Sequence, residues 1–251
     1  MRRMRKTILI TGASSGLGLG MAREFARRGR DLALCARRLD RLEALRDELR
    51  AQHPQLRIEL RALDVNDHEA VFRVFRELDT TMGGLQRIIV NAGTGKGKPL
   101  GTGGFDGIRE TAMTNFVAAL AQCDAALELF RARNSGHLVV VSSMSALRGM
   151  PRHMATYAAS KAAVARLAEG LRAELLKTPI KVSTLYPGYI RTEMTDRVKN
   201  TPFIIDAERG CALLAAAIER EPATAIVPRW PWAAVAVAMR TLPLRLVARL
   251  A

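Results

Sequence analysis

Tyr157 and Lys161 stand four residues apart in Tyr-Ala-Ala-Ser-Lys, fourteen residues after Ser143. On a helix over residues 155–176 that spacing puts the phenol and the ammonium on one face. An unperturbed phenol titrates near pH ~10, too high for efficient proton exchange at neutrality. A fixed cation beside it favours the phenolate and draws its pKa toward the working pH. A hydroxyl such as Ser143 then holds a substrate oxygen against the phenol. Such a set moves a proton to or from an oxygen, and the other half of the reaction must come from elsewhere in the chain.

The amino end supplies a candidate. Lys6-Thr-Ile-Leu-Ile10 is a short apolar run suited to a buried strand, and Leu19 to Arg28 reads as a helix. Between them lies Thr11-Gly-Ala-Ser-Ser-Gly-Leu-Gly18. Gly12, Gly16 and Gly18 let the backbone turn sharply and approach a ligand. The helix start behind them offers free N–H groups to a pyrophosphate. The spacing is Gly-x-x-x-Gly-x-Gly, which departs from the common Gly-x-Gly-x-x-Gly dinucleotide fingerprint. By itself the turn is equally well read as a tight turn and nothing more.

The elements needed to position these residues recur along the chain. Strands are expected near 6–10, 31–35, 57–62, 86–90, 137–141, 180–185 and 223–227. Helices are expected near 17–28, 39–51, 67–82, 106–132, 155–176 and 206–219. This alternation predicts an α/β fold: a single doubly wound, Rossmann-type domain with a mostly parallel, about seven-stranded sheet between helices. At 251 residues and 49% hydrophobic, the chain can bury one substantial core. Residues 1–228 form the expected catalytic domain, and 229–251 an apolar and basic tail.

With these motifs in view, the chain resembles the short-chain dehydrogenase/reductase family over nearly its full length, from Lys6 to about Val227. Thr11-Gly-x-x-x-Gly-x-Gly18, Asn91-Ala-Gly93, Asn115, Ser143 with Tyr157-x-x-x-Lys161, and Pro187-Gly188 followed by Thr192 occur in that family's order. The resemblance implies an oxidoreductase that moves a hydride between NADPH and a carbonyl or alcohol. Tyr157 would exchange the proton, Ser143 orient the oxygen, Lys161 keep Tyr157 acidic, and Asn115 anchor a water in the relay. Ser142 and Ser145 are the neighbours of Ser143, and the register with Tyr157 favours Ser143. The cofactor site implied comprises Gly12, Ser14, Ser15, Gly16, Leu17 and Gly18, then Asp64 and Val65 at the adenine. It continues with Asn91, Ala92 and Gly93, Tyr157 and Lys161, and Pro187, Gly188, Ile190 and Thr192 near the nicotinamide. A homodimer or homotetramer paired through helices 106–132 and 155–176 is also implied.

Charge argues for the cofactor's identity. Leu32-Ala-Leu-Cys-Ala36 runs into Arg37-Arg38. NAD sites commonly carry a carboxylate at the end of the second strand to accept the ribose hydroxyls. Ala36 cannot do so, whereas Arg37 offers a 2′-phosphate a planar fork of donors. Ser14 and Ser15 add hydroxyls. Two arginines at a helix start are unfavourable without an anion nearby, so NADP is expected over NAD.

Substrate signals are coarser. Met144, Leu147, Met150, Met154, Tyr189, Met194, Phe203 and Ile204 could line a pocket between the loops after Gly93, Ser143 and Gly188. Their apolar, methionine-rich character suggests a hydrophobic carbonyl compound, although core packing explains several equally well. Cys35, Cys123 and Cys211 are isolated, and His53, His68, His137 and His153 form no cluster, so no metal site is expected. His153 reads as a loop residue at the pocket rim.

In the tail, Trp230–Met239 is uncharged but shorter than the roughly 18 residues of a spanning helix. Two readings stand: a terminal helix packed over the pocket or a partner subunit, or an interfacial segment using Trp230, Trp232, Arg229, Arg240, Arg245 and Arg249 on a membrane. The net charge of +15 is spread along helices and aromatics are only 5% of residues, so nucleic-acid binding is not expected. Met1–Lys6 reads as a solvated basic tail, because the apolar run behind it is too short for a signal peptide, and a cytoplasmic enzyme is expected. A non-catalytic NADP-binding sensor or scaffold is the alternative function.

Overall fold

The computed structural model describes residues 5–197 and 201–250. Residues 1–4 of the basic tail, 198–200 of the expected substrate loop, residue 251 and the side chain of Arg249 lie outside that description. Seven strands make one parallel sheet in the order β3-β2-β1-β4-β5-β6-β7. They are β1 (Thr7–Thr11), β2 (Asp31–Ala36), β3 (Ile58–Ala62), β4 (Arg87–Val90), β5 (His137–Val141), β6 (Lys181–Pro187) and β7 (Thr224–Val227). Each expected strand is present to within two residues.

Helices cover both faces. Alternate strand residues feed opposite layers, as a period of two requires. Ile8 and Ile10 pack with Met21, Phe25, Leu42 and Leu214 of α1 (Gly16–Arg27), α2 (Leu39–Gln52) and α7 (Ala207–Glu219). Leu9 and Ile88 pack with Phe75, Phe130 and Val164 of α3 (His68–Met82), α5 (Ala118–Ala132) and α6 (Ala155–Glu174). Covered on both faces, β1, β4 and β5 are buried throughout. Local signals fix the helix ends. Asp67 and Asp206 cap α3 and α7 by accepting from the N–H groups of Ala70 and Arg209, and Gly83 closes α3 with φ 70°.

The helix expected over 106–132 is interrupted. It is α4 (Phe105–Ala112), a single π turn (Met113–Val117) and then α5. The π turn carries Asn115, and such turns persist where a side chain makes bonds that repay the poorer backbone geometry. Beyond β7 the tail forms α8 (Trp232–Thr241) and α9 (Leu244–Leu250).

Strand order reverses between β1 and β4, so the turns leaving those strands diverge and open a crevice at their carboxyl ends. The opposite end of the sheet is closed by a buried polar network. Arg87, 2% exposed, donates to His137 Nδ1 at 2.8 Å and to Glu221 Oε1 at 3.2 Å, and Arg5 donates to the same Glu221 oxygen at 2.9 Å. His137 Nε2 lies 2.8 Å from Ser183 Oγ, which donates to Pro222 O. Burial and then the neighbouring Arg87 hold His137 well below the usual imidazole range, so it is a neutral acceptor for Arg87. Burial also lowers Arg87 to about 10, with Glu221 opposing.

Candidate active site

The turn after β1 is shaped by close backbone approach. Gly12 has φ +67°, and a Cβ there would lie 2.9 Å from Ala92 Cα. A Cβ on Gly18 would lie 2.3 Å from Gly12 O. Thr11 Oγ1 accepts from the N–H groups of Asn91 (3.1 Å) and Ala92 (3.2 Å), and Asn91 Nδ2 donates to Thr11 O at 2.9 Å. These bonds tie the ends of β1 and β4 together at the crevice. Helix α1 then starts at Gly16 with no side-chain cap from Ser15 and no acidic residue in its first turn. Its first N–H groups and its dipole are therefore left for an external anion.

A cation is aimed at the same turn. Arg38 Nη2 donates to Ser15 Oγ at 2.8 Å and Ser14 Oγ at 3.3 Å. The sequence assigned the phosphate contact first to Arg37, which is exposed beside it. Glu193, from the loop after β6, reaches across to Arg41 at 2.8 Å and Arg38 at 3.9 Å. Donor hydroxyls, a guanidinium and an uncapped helix start are the set that a phosphorylated dinucleotide needs, so the residues present fit NADP. After β3, the exposed Asp64 accepts from the Asn66 backbone (3.0 Å) and side-chain amide (3.1 Å), while Val65 is buried.

The proton-handling residues gather where β5 ends. Ser142 Oγ donates to Lys161 O at 2.7 Å and is thereby committed to the α6 backbone. Ser143 stays partly exposed and accepts from Ser145 N at 3.2 Å and Ser145 Oγ at 3.0 Å. The Tyr157 hydroxyl lies close enough to Ser143 for that side chain to pull its pKa down. Lys161 is 6% exposed, lies 6.0 Å from the Tyr157 ring centre, and donates to Val141 O at 2.9 Å.

One expectation needs correction here. Tyr157 is not drawn toward neutrality; burial raises it, against a downward pull from Ser143. Burial also lowers Lys161 to about 8. Desolvation disfavours both charged forms.

Asn115 braces the set from behind. Its Oδ1 accepts from Thr94 N at 2.8 Å, and its Nδ2 donates to Thr94 O at 2.9 Å and Ser160 Oγ at 3.2 Å. Gly93 threads between Asn115 and Lys161, where a Cβ would sit 3.1 Å from Asn115 Oδ1 and 3.4 Å from Lys161 Nζ.

The far wall comes from the loop after β6 and from the tail. Gly188 lies directly under the indole of Trp232; a Cβ on it would be 2.2 Å from Trp232 Cε2. Trp232 meets Tyr189 edge-on at 5.6 Å and Phe203 at 6.2 Å, and packs with Met144 and Leu147. Across the opening, Met194 and Tyr157 approach Gly95, at 3.6 and 3.9 Å from a Cβ there, and Thr192 approaches Gly16 in the same way at 3.6 Å. Ile190 pairs with Ile205 and closes the loop on itself. Met150, Met154 and Ile204 lie outside the Trp232 cluster, and His153 is exposed. Trp232 was absent from the pocket lining expected from sequence, which gave the tail that carries it two readings, and the structure takes the helix over the pocket. The uncharged run around it was equally compatible with an interfacial role.

Comparison with known proteins agrees with this geometry. The family model for short chain dehydrogenases matches residues 6–202. The chain belongs to the short-chain dehydrogenase family. It is 54% identical over 247 residues, 98% of each chain, to an uncharacterized oxidoreductase of Mycobacterium tuberculosis. An uncharacterized oxidoreductase of Myxococcus xanthus is 37% identical over 240 residues, 95% of this chain and 93% of the relative. The short-chain dehydrogenase of Sphingobium yanoikuyae in complex with NADPH superposes with TM-score 0.81 at 29% identity, covering 95% of this chain and 97% of that one. As a short-chain dehydrogenase the protein is an oxidoreductase with the parallel sheet characteristic of these relatives. Among the described residues there is no cluster of metal-ligating side chains, and no helix is long and apolar enough to cross a membrane. Cys35, Cys123 and Cys211 are free and buried, with thiols pushed up to about 12 by burial, so they are not nucleophiles.

Proposed function

We propose that this short-chain dehydrogenase reduces hydrophobic ketones or aldehydes with NADPH, and oxidises the corresponding alcohols in reverse. The observation that carries the proposal is the gathering of Tyr157, Ser143 and buried Lys161 at the end of β5, with Lys161 held there by its bond to Val141 O. The crevice between the β1 and β4 turns would hold the dinucleotide. Its pyrophosphate would lie on Gly12, Ser14 to Gly18 and the uncapped α1 start, and its 2′-phosphate on Arg38 with Arg37, Ser14 and Ser15. Asp64 and Val65 would border the adenine. Asn91 to Gly93 would support the adenosine side, and Pro187, Gly188, Ile190 and Thr192 the nicotinamide. The NADPH bound by the Sphingobium yanoikuyae relative supports this choice of cofactor.

Bound NADPH would supply the hydride. Ser143, set by its bonds from Ser145, would donate to the carbonyl oxygen and polarise it. Tyr157 would give that oxygen its proton. The raised pKa of Tyr157 suits an acid, because it keeps the phenol protonated at neutral pH. Lys161 would stabilise the phenolate left after transfer, and Asn115 would hold the relay's geometry through Thr94 and Ser160. Met144, Leu147, Tyr189 and Trp232 supply the apolar wall behind the hydrophobic substrate class.

The test is NADPH consumption against carbonyl compounds of increasing apolar size, with Tyr157→Phe alongside. Turnover that needs NADPH and falls by at least ~100-fold in the variant is expected, the usual scale for a lost general acid. Unchanged turnover in the variant would refute Tyr157 as the acid. NADPH binding without turnover on any carbonyl would favour a cofactor sensor.

A further inference from the structure

We propose that residues 229–247 form a docking face for an anionic lipid surface. Helix α8 is uncharged from Trp232 to Met239. Its inner side is spent on the enzyme body, with Trp232 and Ala236 packed on Met144, Leu147 and Tyr189. Its outer side is also apolar. Ala234 and Val237 stand three residues apart on that side, and the exposed Trp230 lies just before the helix, where Ala233 N–H donates to Arg229 O at 2.7 Å. Trp230 is 77% exposed, Val237 60%, and Leu244 and Leu246 beyond the bend 61% and 43%. A helix apolar all round needs a second partner for its outer face. Arg148 donates to Leu242 O at 3.3 Å and fastens the bend between α8 and α9 to the body, so the face is held in place.

Charge selects the partner. From Pro222 to Ala251 the sequence contains no aspartate or glutamate, while Arg229, Arg240 and Arg245 are exposed around the apolar crest. Among the described residues these three arginines enter no ion pair, whereas Arg23, Arg28, Arg30 and Arg76 each do. A second copy docked on the same face would set arginine against arginine with no acid to compensate. Nucleic acid would satisfy the arginines and leave Val237, Leu244 and Leu246 against water. Anionic headgroups over an acyl layer satisfy both, with the tryptophan at the boundary.

Co-sedimentation of the full chain with phosphatidylcholine vesicles, with and without phosphatidylglycerol, tests the proposal without any need for turnover. Each arginine near an anionic surface is worth about fivefold in partitioning, so three should give about 100-fold tighter binding to the anionic vesicles. High salt should reverse most of it. In a Trp232→Phe background Trp230 is the sole tryptophan of the two in the chain, and its emission should shift to the blue on binding. The combined Arg229→Glu, Arg240→Glu and Arg245→Glu variant should lose the preference while keeping the wild-type Tm. The proposal fails if binding is equal on both vesicle types, or absent at low salt. It also fails if light scattering shows self-association that Trp230→Ser abolishes while lipid does not compete.

Discussion

Arg38 offers the sharpest test of cofactor choice. Its Nη2 already bridges Ser15 Oγ at 2.8 Å and Ser14 Oγ at 3.3 Å, at the start of the uncapped α1. A 2′-phosphate seated there would receive charge-assisted bonds from the guanidinium fork. A hydrogen bond to a charged group contributes about 1.5–3 kcal/mol. At 1.4 kcal/mol per tenfold, Arg38→Ala should therefore weaken NADPH by roughly 10–150-fold. NADH lacks that phosphate and should change little. Arg37→Ala should have the smaller effect, because Arg38 is the residue in contact with the serine hydroxyls. Removing one arginine at a time keeps part of the positive field, so the lower half of the range is expected at physiological salt. The assay is titration of each variant with 2′,5′-ADP and 5′-AMP, followed by KM for NADPH and NADH. Equal losses for both nucleotides, or a larger loss from Arg37→Ala, would refute this assignment of the phosphate site.

Lys161→Met should abolish turnover yet stabilise the fold at pH 7. Lys161 is lowered from 10.5 to about 8 by burial, so the folded state carries a charge it disfavours by about 3 kcal/mol. Between about pH 8 and 10.5 the unfolded chain keeps a proton that the folded one has shed, so wild-type stability rises and the variant's advantage shrinks. Urea unfolding at pH 7 and pH 10 measures this, and a gap independent of pH would contradict it. Wild-type reduction should be level below about pH 8 and fall above it as Lys161 loses its charge, read as kcat/KM against pH. Glu221→Gln should cost about 3 kcal/mol, because Arg5 and Arg87 lose their shared counter-charge. For a chain of this length that is a Tm drop on the order of 10 °C by calorimetry, with kcat unchanged. Gly188→Ala should destabilise by about 1–3 kcal/mol through the collision with Trp232, and adding Trp232→Ala should recover part of the loss. A fully additive double variant would show that the tail does not press on Gly188.

Much of this protein was legible because its signals are local. The strands announce themselves as short apolar runs between turns, since a strand covered on both faces has no polar side to show. The spacing of Tyr157 and Lys161 on one helix, and the glycines after β1, needed only the helical period and the steric limits of a tight turn. Membership in the short-chain dehydrogenase family followed from those motifs in order.

Folding decided what depends on distant segments and on solvent. Whether Lys161 would acidify Tyr157 turned on burial: the spacing was right, but desolvation raises the phenol and lowers the amine. Which serine faces Tyr157 turned on Ser142 being bound to Lys161 O. The π turn at Asn115 reflects its bonds to Thr94, in a segment that sequence periodicity joins smoothly to its neighbours. His137 and Arg87 become partners only because β4 and β5 are adjacent in the sheet. Trp232 joins the pocket wall because Gly188, more than forty residues earlier, has no side chain to keep it out. The sequence by itself determined the elements and the order of the motifs, because those depend on neighbours within a few residues. Protonation, the choice of Arg38 at the serine turn and the docking of the tail depend on what surrounds each group in space, and only the tertiary structure decided them.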